Sequence, residues 1–349
     1  MNMKVALACA LCFCGVAHAQ SSVTLYGLMD AGITYTNNLT GSTGNGGALQ
    51  FISGSSQGDR WGLKGVEDLG GGTRVDFVLE NGFQLANGKL GQGGRMFGLQ
   101  SYVGLSGPWG AVTMGRQYDL IGWIFPAYAV ASNTPAGLLA WSLPTYAAGG
   151  YTLDNRVWGD EVDNSVKYMS PNFGGFSFGA MYGFGNVPGS LGTDSSTNFS
   201  VSYDHGPFSA SLAYMAIHNV TSSANSVEYA GGAAYMIGKV RIFGLVTDVQ
   251  LSSGTKQRAT TFEGGAAYAL RPDLSLAAGY QFQKRNNDVG SANQLTLTAD
   301  YFLSKRTDVY LVGALGHDYG YGAQVQAGYG SVSSTSTQVA ARVGLRHKF

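Results

Sequence analysis

The sequence T-Q-V-A-A-R-V-G-L-R-H-K-F, residues 337–349 at the end of the chain, decides the fold. Because successive side chains of a strand point to opposite faces, every second residue shares a face. One face is apolar and ends on an aromatic residue, with Val339, Val343, Leu345 and Phe349. The opposite face carries Arg342, Arg346 and Lys348. This pattern favours lipid on one side and water on the other, so we expect Phe349 to face lipid and the three cations to face a lumen or its rim.

Similar alternating segments recur from residue 23 onward and predict about sixteen strands, each near the ~9–11 residues that a tilted transmembrane strand requires. These segments are 23–33, 58–68, 73–84, 95–106, 110–117, 163–170, 175–185, 197–204, 208–217, 225–237, 239–252, 259–270, 273–285, 292–303, 307–317 and 336–349. Tight turns alternate with longer polar loops, as at the two rims of an outer-membrane barrel. The longer loops are 37–57, 85–94, 118–162, 186–196, 218–224, 253–258, 286–291 and 318–335.

The composition agrees with a barrel that has a wet interior. The chain has 53 glycines, and charged residues make up only 12% of it, about half the usual share for a soluble domain. A mean hydropathy of +0.00 fits neither a helical membrane protein nor a disordered chain, whereas a barrel exposes only alternate residues to lipid. The sequence therefore predicts an all-β, 16-stranded antiparallel transmembrane β-barrel.

The first residues have the pattern of a secretory signal peptide. Lys4 precedes an apolar run, and Ala17-His18-Ala19 forms an A-x-A cleavage site. We therefore predict a signal peptide at residues 1–19 and a barrel pore domain at residues 20–349. All three cysteines lie within residues 9–14, so the exported protein should have no disulfide. Removal of Lys4 leaves 20 basic residues against 21 acidic ones, a balance that indicates no nucleic-acid partner.

The third long loop, residues 118–162, exceeds the length at which a structureless loop is expected in a compact domain. It contains large apolar residues, among them Leu120, Ile121, Trp123 and Trp141. Such side chains would be poorly placed in bulk water. We therefore expect this loop to fold into the lumen and narrow it.

Six motifs stand in order along the chain. They are V-T-L-Y-G at 23–27, R-W-G-L-K-G-V-E-D-L-G-G-G at 60–72, G-R-Q at 115–117, V-D-N-S-V-K-Y-M-S-P at 162–171, L-S-K-R-T at 303–307 and G-L-R-H-K-F at 344–349. Together they make the whole mature chain resemble the general-diffusion porins of Gram-negative outer membranes. The resemblance implies a homotrimer, a third loop inside the lumen, contact with outer-membrane lipid and lipopolysaccharide, and recognition of Phe349 by the barrel-assembly machinery.

In the porins that the chain resembles, wall arginines face acids of the third loop across a constriction. Arg60 and Arg116 match two of these arginines by motif position, whereas Glu161 stands where a third usually precedes the V-D-N-S-V motif. This departure weakens the expectation of strong anion selectivity, unless Arg156 compensates. The alternation assigns Met114 to the lipid-facing side, and Arg116 shares its phase, so a bulge or strand end must intervene.

The predicted constriction sets cations against acids across a narrow water column, where low-dielectric walls focus the electric field. Its cationic side comprises Arg60, Lys64, Arg74 and Arg116. Its acidic side comprises Asp119, Asp154, Asp160, Glu161 and Asp163. For each arginine the alternative is a solvated rim charge or a tie between loop and wall.

The sequence predicts a passive outer-membrane pore for small hydrophilic solutes and ions, without a cofactor, a bound metal or enzymatic turnover. A substrate-selective porin for anions or sugars is the nearest alternative, although the inward faces are mostly Ser, Thr, Gly, Gln and Ala. A barrel hydrolase is a further alternative, for which His317-Asp318 is the one pair worth considering. Adjacent residues of a strand point apart, however, which argues against a catalytic pair there.

Overall fold

The computed structural model describes residues 22–130, 161–221, 224–253, 255–288, 290–320, 322–325 and 332–349. The predicted signal peptide at residues 1–19 lies outside these ranges. The described chain forms a single sheet of seventeen antiparallel strands. In chain order they are β1 Ser22–Leu39, β2 Gly46–Ser53, β3 Arg60–Gly70, β4 Thr73–Gly82, β5 Gln100–Gly107, β6 Gly110–Tyr118, β7 Glu161–Met169, β8 Phe176–Gly183, β9 Ser196–His205, β10 Phe208–Thr221, β11 Ala224–Ile237, β12 Val240–Ser253, β13 Thr255–Arg271, β14 Leu274–Arg285, β15 Ser291–Phe302, β16 Thr307–Asp318 and β17 Thr337–Lys348.

The sheet closes on itself through β1. One edge of β1 pairs with β17, and its other edge pairs with β3 in its first half and with β2 in its second half. Strands β2 and β3 are therefore two parts of one interrupted strand, and the described residues form a closed barrel of sixteen strands. The last residue completes the seam, because Gly27 and Phe349 exchange two backbone hydrogen bonds of 3.1 Å.

The two faces of the barrel differ as the alternation predicted. On β15, Leu297 is 54% exposed while its neighbours Thr296 and Thr298 are 1% and 7% exposed. The outward face is thus apolar and the inward face is polar, as expected where one side meets lipid. The last strand follows the same rule, because Arg342 is buried on the inward side and Leu345 is exposed on the outward side.

Three of the predicted loops are wrong in part. Residues 46–53, placed in a loop, form β2 against the free edge of β1. The regions 218–224 and 253–258 belong largely to strands, since β10 ends at residue 221, β11 begins at 224, and β12 and β13 are separated by one residue. Backbone pairing between neighbouring strands continues past the apolar band there, where side-chain alternation no longer marks it.

The interruption between β2 and β3, residues 54–59, lies on the inward side of β1 and is tied to Asp30. The Asp30 carboxylate accepts hydrogen bonds from the backbone N–H groups of Ser56 at 2.5 Å and Gln57 at 3.0 Å. In return, the Asp30 N–H donates to Asp59 Oδ1 at 2.6 Å. These bonds satisfy the backbone groups that the broken ladder leaves without strand partners.

Asp30 also joins the seam to β16 and β17. The Tyr310 hydroxyl donates to Asp30 Oδ1 at 2.5 Å, and Arg342 Nη2 lies 3.4 Å from the same oxygen. Arg342 additionally donates to Thr34 Oγ1 at 3.0 Å and to the Ile52 carbonyl at 3.0 Å. The side chains of Asp30 and Arg342 are 0% exposed. We call Asp30, Tyr310 and Arg342 the seam cluster.

The third long loop begins with two short helices. Helix α1, Leu120–Ile124, starts after Asp119, whose Oδ1 accepts a 2.6 Å hydrogen bond from the Gly122 N–H as an N-cap. A 3-10 helix, Phe125–Tyr128, follows directly, and a second 3-10 turn, Gln92–Gly94, lies in the preceding long loop. Among the described residues, no helix has the length and apolar character needed to cross a membrane.

Candidate functional site

Arg60 begins β3 on the inward face and contacts the wall through Glu80. The two side chains lie 3.5 Å apart, and the Tyr26 hydroxyl donates to the other Glu80 oxygen at 2.8 Å. Arg60 Nε donates to the Gly58 carbonyl at 3.0 Å, so the interruption of the strand helps to fix the guanidinium. The Arg60 side chain remains 20% exposed while that of Glu80 is 5% exposed. The cation therefore borders the lumen and the acid lies behind it.

Lys64 and Lys348 extend this positive region. Leu28 is paired in register with Arg60 on one side and Lys348 on the other. Paired residues share a face, and neighbouring strands lie about 4.8 Å apart, so Arg60 and Lys348 are about 10 Å apart across the inner wall. Lys64 continues along β3, with its Nζ 5.1 Å from the Tyr26 ring centroid. We call Arg60, Lys64 and Lys348 the inner cationic strip.

Arg346, two residues before Lys348, also faces inward but is balanced by acids. Its side chain lies 3.0 Å from Asp308 and 3.5 Å from Asp300. The sequence predicted that Arg346 and Lys348 face the lumen or its rim, but it did not assign them to the constriction. The missing information was the pairing of Leu28 with both Lys348 and Arg60, which only the closed seam supplies.

Arg116 sits at the base of the third loop in a cluster of charges. The bulge that its parity required is confirmed, because the pairing of β6 with β7 shifts between Gly115 and Gln117. Its Nη1 donates to Asp163 Oδ1 at 2.6 Å, and its Nη2 lies 3.5 Å from Glu161 Oε2. Its Nε donates to the carbonyl of Gly98 at 2.6 Å. The arginine therefore ties the second and third loops together.

Asp163 is shared between two arginines. Arg95 Nη1 lies 2.7 Å from Asp163 Oδ2, and this hydrogen bond raises the pKa of Arg95 above its ordinary value. Arg95 was predicted to begin a strand, but β5 starts at Gln100, which leaves Arg95 in the loop. Arg95, Arg116, Glu161 and Asp163 thus form a group of two cations and two acids with no net charge.

Asp119 and Arg74 lie elsewhere than the inner cationic strip. Asp119 is 0% exposed and caps α1, so it does not border water. Lys167, close enough to interact with Asp119 electrostatically, donates to the Tyr118 carbonyl at 3.0 Å. Arg74 pairs in register with Asp68 near the short turn. Glu80, the partner of Arg60, lies six positions further along β4, which corresponds to about 20 Å. Asp154, Asp160 and Arg156 lie outside the described residues.

Residues 120–130 run along the inward face of the strands opposite the inner cationic strip. The Tyr128 hydroxyl lies 2.8 Å from Ser211 Oγ on β10, and the Val130 N–H donates to Glu263 Oε1 on β13 at 2.5 Å. Ile121, Phe125, Tyr128 and Val130 belong to one buried apolar cluster with inward residues of β10 and β12, namely Met215, Phe243 and Leu245. Burial of these apolar side chains holds the segment against the wall.

Glycine at position 232 makes room for this segment. A Cβ atom there would lie 2.5 Å from Tyr128 Cδ2. We expect Gly232→Ala to destabilise the folded barrel by about 1–3 kcal/mol, the usual cost of overpacking. On gels, the compact folded form of this variant should convert to the unfolded form at a lower temperature than the wild type does. Gly313→Ala is the matched control, because a Cβ atom at Gly313 meets open space. Equal melting of the two variants would contradict the contact.

The hydrolase candidate His317-Asp318 is split between two environments. Asp318 forms a buried pair with Arg285 at 2.6 Å, with side chains 3% and 0% exposed. The His317 ring lies 4.2 Å from that of Tyr319. The two side chains do not combine into a catalytic pair. Within the described residues, no group of three or more His, Cys, Asp or Glu side chains could hold a metal ion.

The chain is similar to known proteins over most of its length. A family model described as Gram-negative porin matches residues 6–321. Outer membrane porin protein 32 of Delftia acidovorans is 32% identical, with 96% of each chain covered, and an outer membrane porin protein of Bordetella pertussis is 28% identical, with 99% of this chain and 100% of the relative covered. The structure of an anion-selective porin from Comamonas acidovorans superposes with a TM-score of 0.81 at 27% identity, covering 95% of this chain and all of the other.

Proposed function

Because the chain belongs to the Gram-negative porin family and is an outer-membrane channel for passive diffusion of small hydrophilic solutes, we propose that it favours anions over cations. The observation that carries this proposal is the inner cationic strip. Arg60, Lys64 and Lys348 lie on one region of the inner wall, whereas the acids Glu161 and Asp163 are paired with arginines. The similar Comamonas acidovorans protein, described as anion-selective, supports the same direction.

The selectivity acts through the concentration of ions in the channel, without a binding step or turnover. A cation about 10 Å from a passing anion in water contributes about 0.4 kcal/mol. Because Arg60 is offset by Glu80, the two lysines of the strip set the preference. Together they favour the anion by about 0.8 kcal/mol, which corresponds to about a fourfold enrichment. Because the Debye length is about 10 Å at 0.1 M salt, the preference should weaken as salt rises.

We expect the wild-type channel to show a reversal potential of the sign that indicates anion preference. The measurement uses a planar bilayer with a tenfold potassium chloride gradient, in which ideal selectivity would give about 59 mV. The preference of this chain should be well below that limit and should shrink when both solutions are concentrated. A cation-directed potential at low salt would contradict the proposal.

The third loop is proposed to narrow the channel and set the size limit. The support is the packing of residues 120–130 against the inward face, with Tyr128 and Val130 hydrogen-bonded to the wall. In this proposal residues 120–130 line the wall opposite the inner cationic strip, and solutes pass between the strip and this segment. Rates of swelling of protein-containing liposomes in sugars of increasing size would measure the limit, and loss of size discrimination in a variant lacking residues 131–160 is the expected result.

The protein is proposed to work as a homotrimer in contact with outer-membrane lipid and lipopolysaccharide. A trimeric form exists for OmpT of Vibrio cholerae, a structure of the same fold at 14% identity and a TM-score of 0.69. Phe349 is proposed as the residue that the barrel-assembly machinery recognises, since it closes the seam with its ring beside Gly27. Conductance steps in groups of three would support the trimer, and a single step per insertion would oppose it.

A further inference from the structure

The outward face of β12, β13 and β14 changes from apolar to polar within one row of residues near the long loops. Val246, Phe262 and Phe282 are in register with one another, and Phe262 is 52% exposed. The next row toward the loops consists of Asp248, Thr260 and Lys284. The row after that begins with Gln250 and Arg258. Rows on one face lie about 6–7 Å apart, so cations stand directly above an apolar surface.

Arg258 is held in place on this surface by a buried acid. Its Nε donates to Asp248 Oδ2 at 2.7 Å, and the Thr260 hydroxyl donates to the same oxygen at 2.5 Å. Gln250 donates to the other oxygen at 2.7 Å. Asp248 is 9% exposed, whereas the Arg258 side chain is 53% exposed. The network therefore fixes the position of a guanidinium that still faces the surroundings.

Beside this network lies a pocket of about 310 Å³. It is lined by Arg258, Thr260, Phe262, Lys284, Arg285 and Asn286. Lys284 is exposed and pairs in register with Thr260, and its side chain lines the same opening as that of Arg258. We call this the outer basic pocket.

We propose that the outer basic pocket binds a phosphate group of lipopolysaccharide in the outer leaflet. A guanidinium and an ammonium group together suit a phosphate, since arginine offers paired donors and lysine adds a compact charge. Phe262 and Phe282 directly below provide an apolar surface for the acyl chains of the same molecule, which a free phosphate ion would not use. This inference rests on the proposed contact with lipopolysaccharide and assigns that contact to particular residues.

The test measures lipid binding to the purified protein in detergent by native mass spectrometry. The probes are lipid A with its phosphates and the same lipid after enzymatic dephosphorylation. A lysine or arginine near a charged lipid surface contributes about 1 kcal/mol. We therefore expect Lys284→Gln and Arg258→Gln each to weaken binding about fivefold, and the double variant about 25-fold. Lys305→Gln, an exposed lysine in a short turn at the other rim, should bind as the wild type does.

The possible outcomes distinguish the outer basic pocket from the more general contact with lipopolysaccharide. If the wild type binds neither lipid, the proposed contact with lipopolysaccharide itself fails. If the wild type binds the phosphorylated lipid and the double variant binds it equally well, the contact stands and the outer basic pocket is refuted. Equal binding of the dephosphorylated lipid, or its complete displacement by inorganic phosphate, also overturns the assignment. Unboiled gel mobility confirms that each variant is folded.

Discussion

Replacing Lys64 and Lys348 together by glutamate is expected to reverse the ion preference of the channel. The double change turns two inward-facing cations of the inner cationic strip into anions and leaves Arg60 paired with Glu80. A planar bilayer with a tenfold potassium chloride gradient should then give a reversal potential of opposite sign to that of the wild type. Both side chains are exposed on the inner wall, so the barrel should fold normally.

The size of this effect follows from the number of charges changed. Each replacement removes an attraction and adds a repulsion of about 0.4 kcal/mol for an anion about 10 Å away in water. Two replacements disfavour the anion by about 1.6 kcal/mol, or more than tenfold. This exceeds the preference of about 0.8 kcal/mol that the two lysines produce, which is why a change of sign is expected.

Lys239→Glu is the control for this prediction. Lys239 lies exposed in the short turn between β11 and β12, away from the seam. The Lys239→Glu replacement changes the net charge of the protein by as much as Lys64→Glu or Lys348→Glu does alone. A similar shift in both proteins would show that the total charge, and not the inner cationic strip, sets the preference.

Replacing Asp30 by alanine is expected to destabilise the barrel by about 3–5 kcal/mol. The change leaves Arg342 charged and buried without its acid, which is the costly way to break a buried ion pair. It also removes the acceptor for Tyr310, Ser56 and Gln57. The measurement is the temperature at which the compact form seen on unboiled gels converts to the slower, unfolded form. Asp30→Ala should convert at a much lower temperature than the wild type.

Two further variants make this prediction specific to the seam cluster. Asp273→Asn removes an exposed acid that pairs with Arg271 at 3.0 Å, and exposed pairs contribute only about 0–1 kcal/mol. The double variant Asp30→Ala with Arg342→Met should recover part of the loss, because removal of both buried charges is often neutral. If Asp30→Ala melts no lower than Asp273→Asn, the seam cluster does not stabilise the barrel.

The sequence predicted the strands best where one face contacts lipid and the other faces the lumen. Between residues 274 and 303, apolar and polar residues alternate because one side meets lipid and the other meets the lumen. The sequence did not predict strand β2, because G-G-A-L-Q-F-I-S begins with two glycines and follows a polar stretch. Its formation depends on the free edge of β1, a long-range partner that no local pattern reveals.

Some charged residues of the site could likewise be placed from the local sequence, whereas others depend on the pairing of distant strands. The parity of Arg116 indicated a bulge, because one residue out of phase is visible in the local sequence. Lys348 could not be joined to Arg60 without the register of two strands at opposite ends of the chain. Glu161, which departs from the pattern of the porins that the chain resembles, is explained by its pairing with Arg116. That pairing depends on the bulge and could not be read from spacing alone.

The seam joins β1 to β17, whose paired residues lie more than 300 positions apart in the sequence, and this sets the order in which the barrel can close. Gly27 exchanges hydrogen bonds with Phe349, so this edge of β1 is satisfied only after residue 349 has been synthesised. Contacts between such distant parts of a chain form late, since a large loop must close first. Until then both edges are open to pairing with other chains. An exported intermediate therefore has to be kept unfolded and shielded throughout its passage to the membrane, and a chain truncated by even a few residues carries its defect at the point of closure.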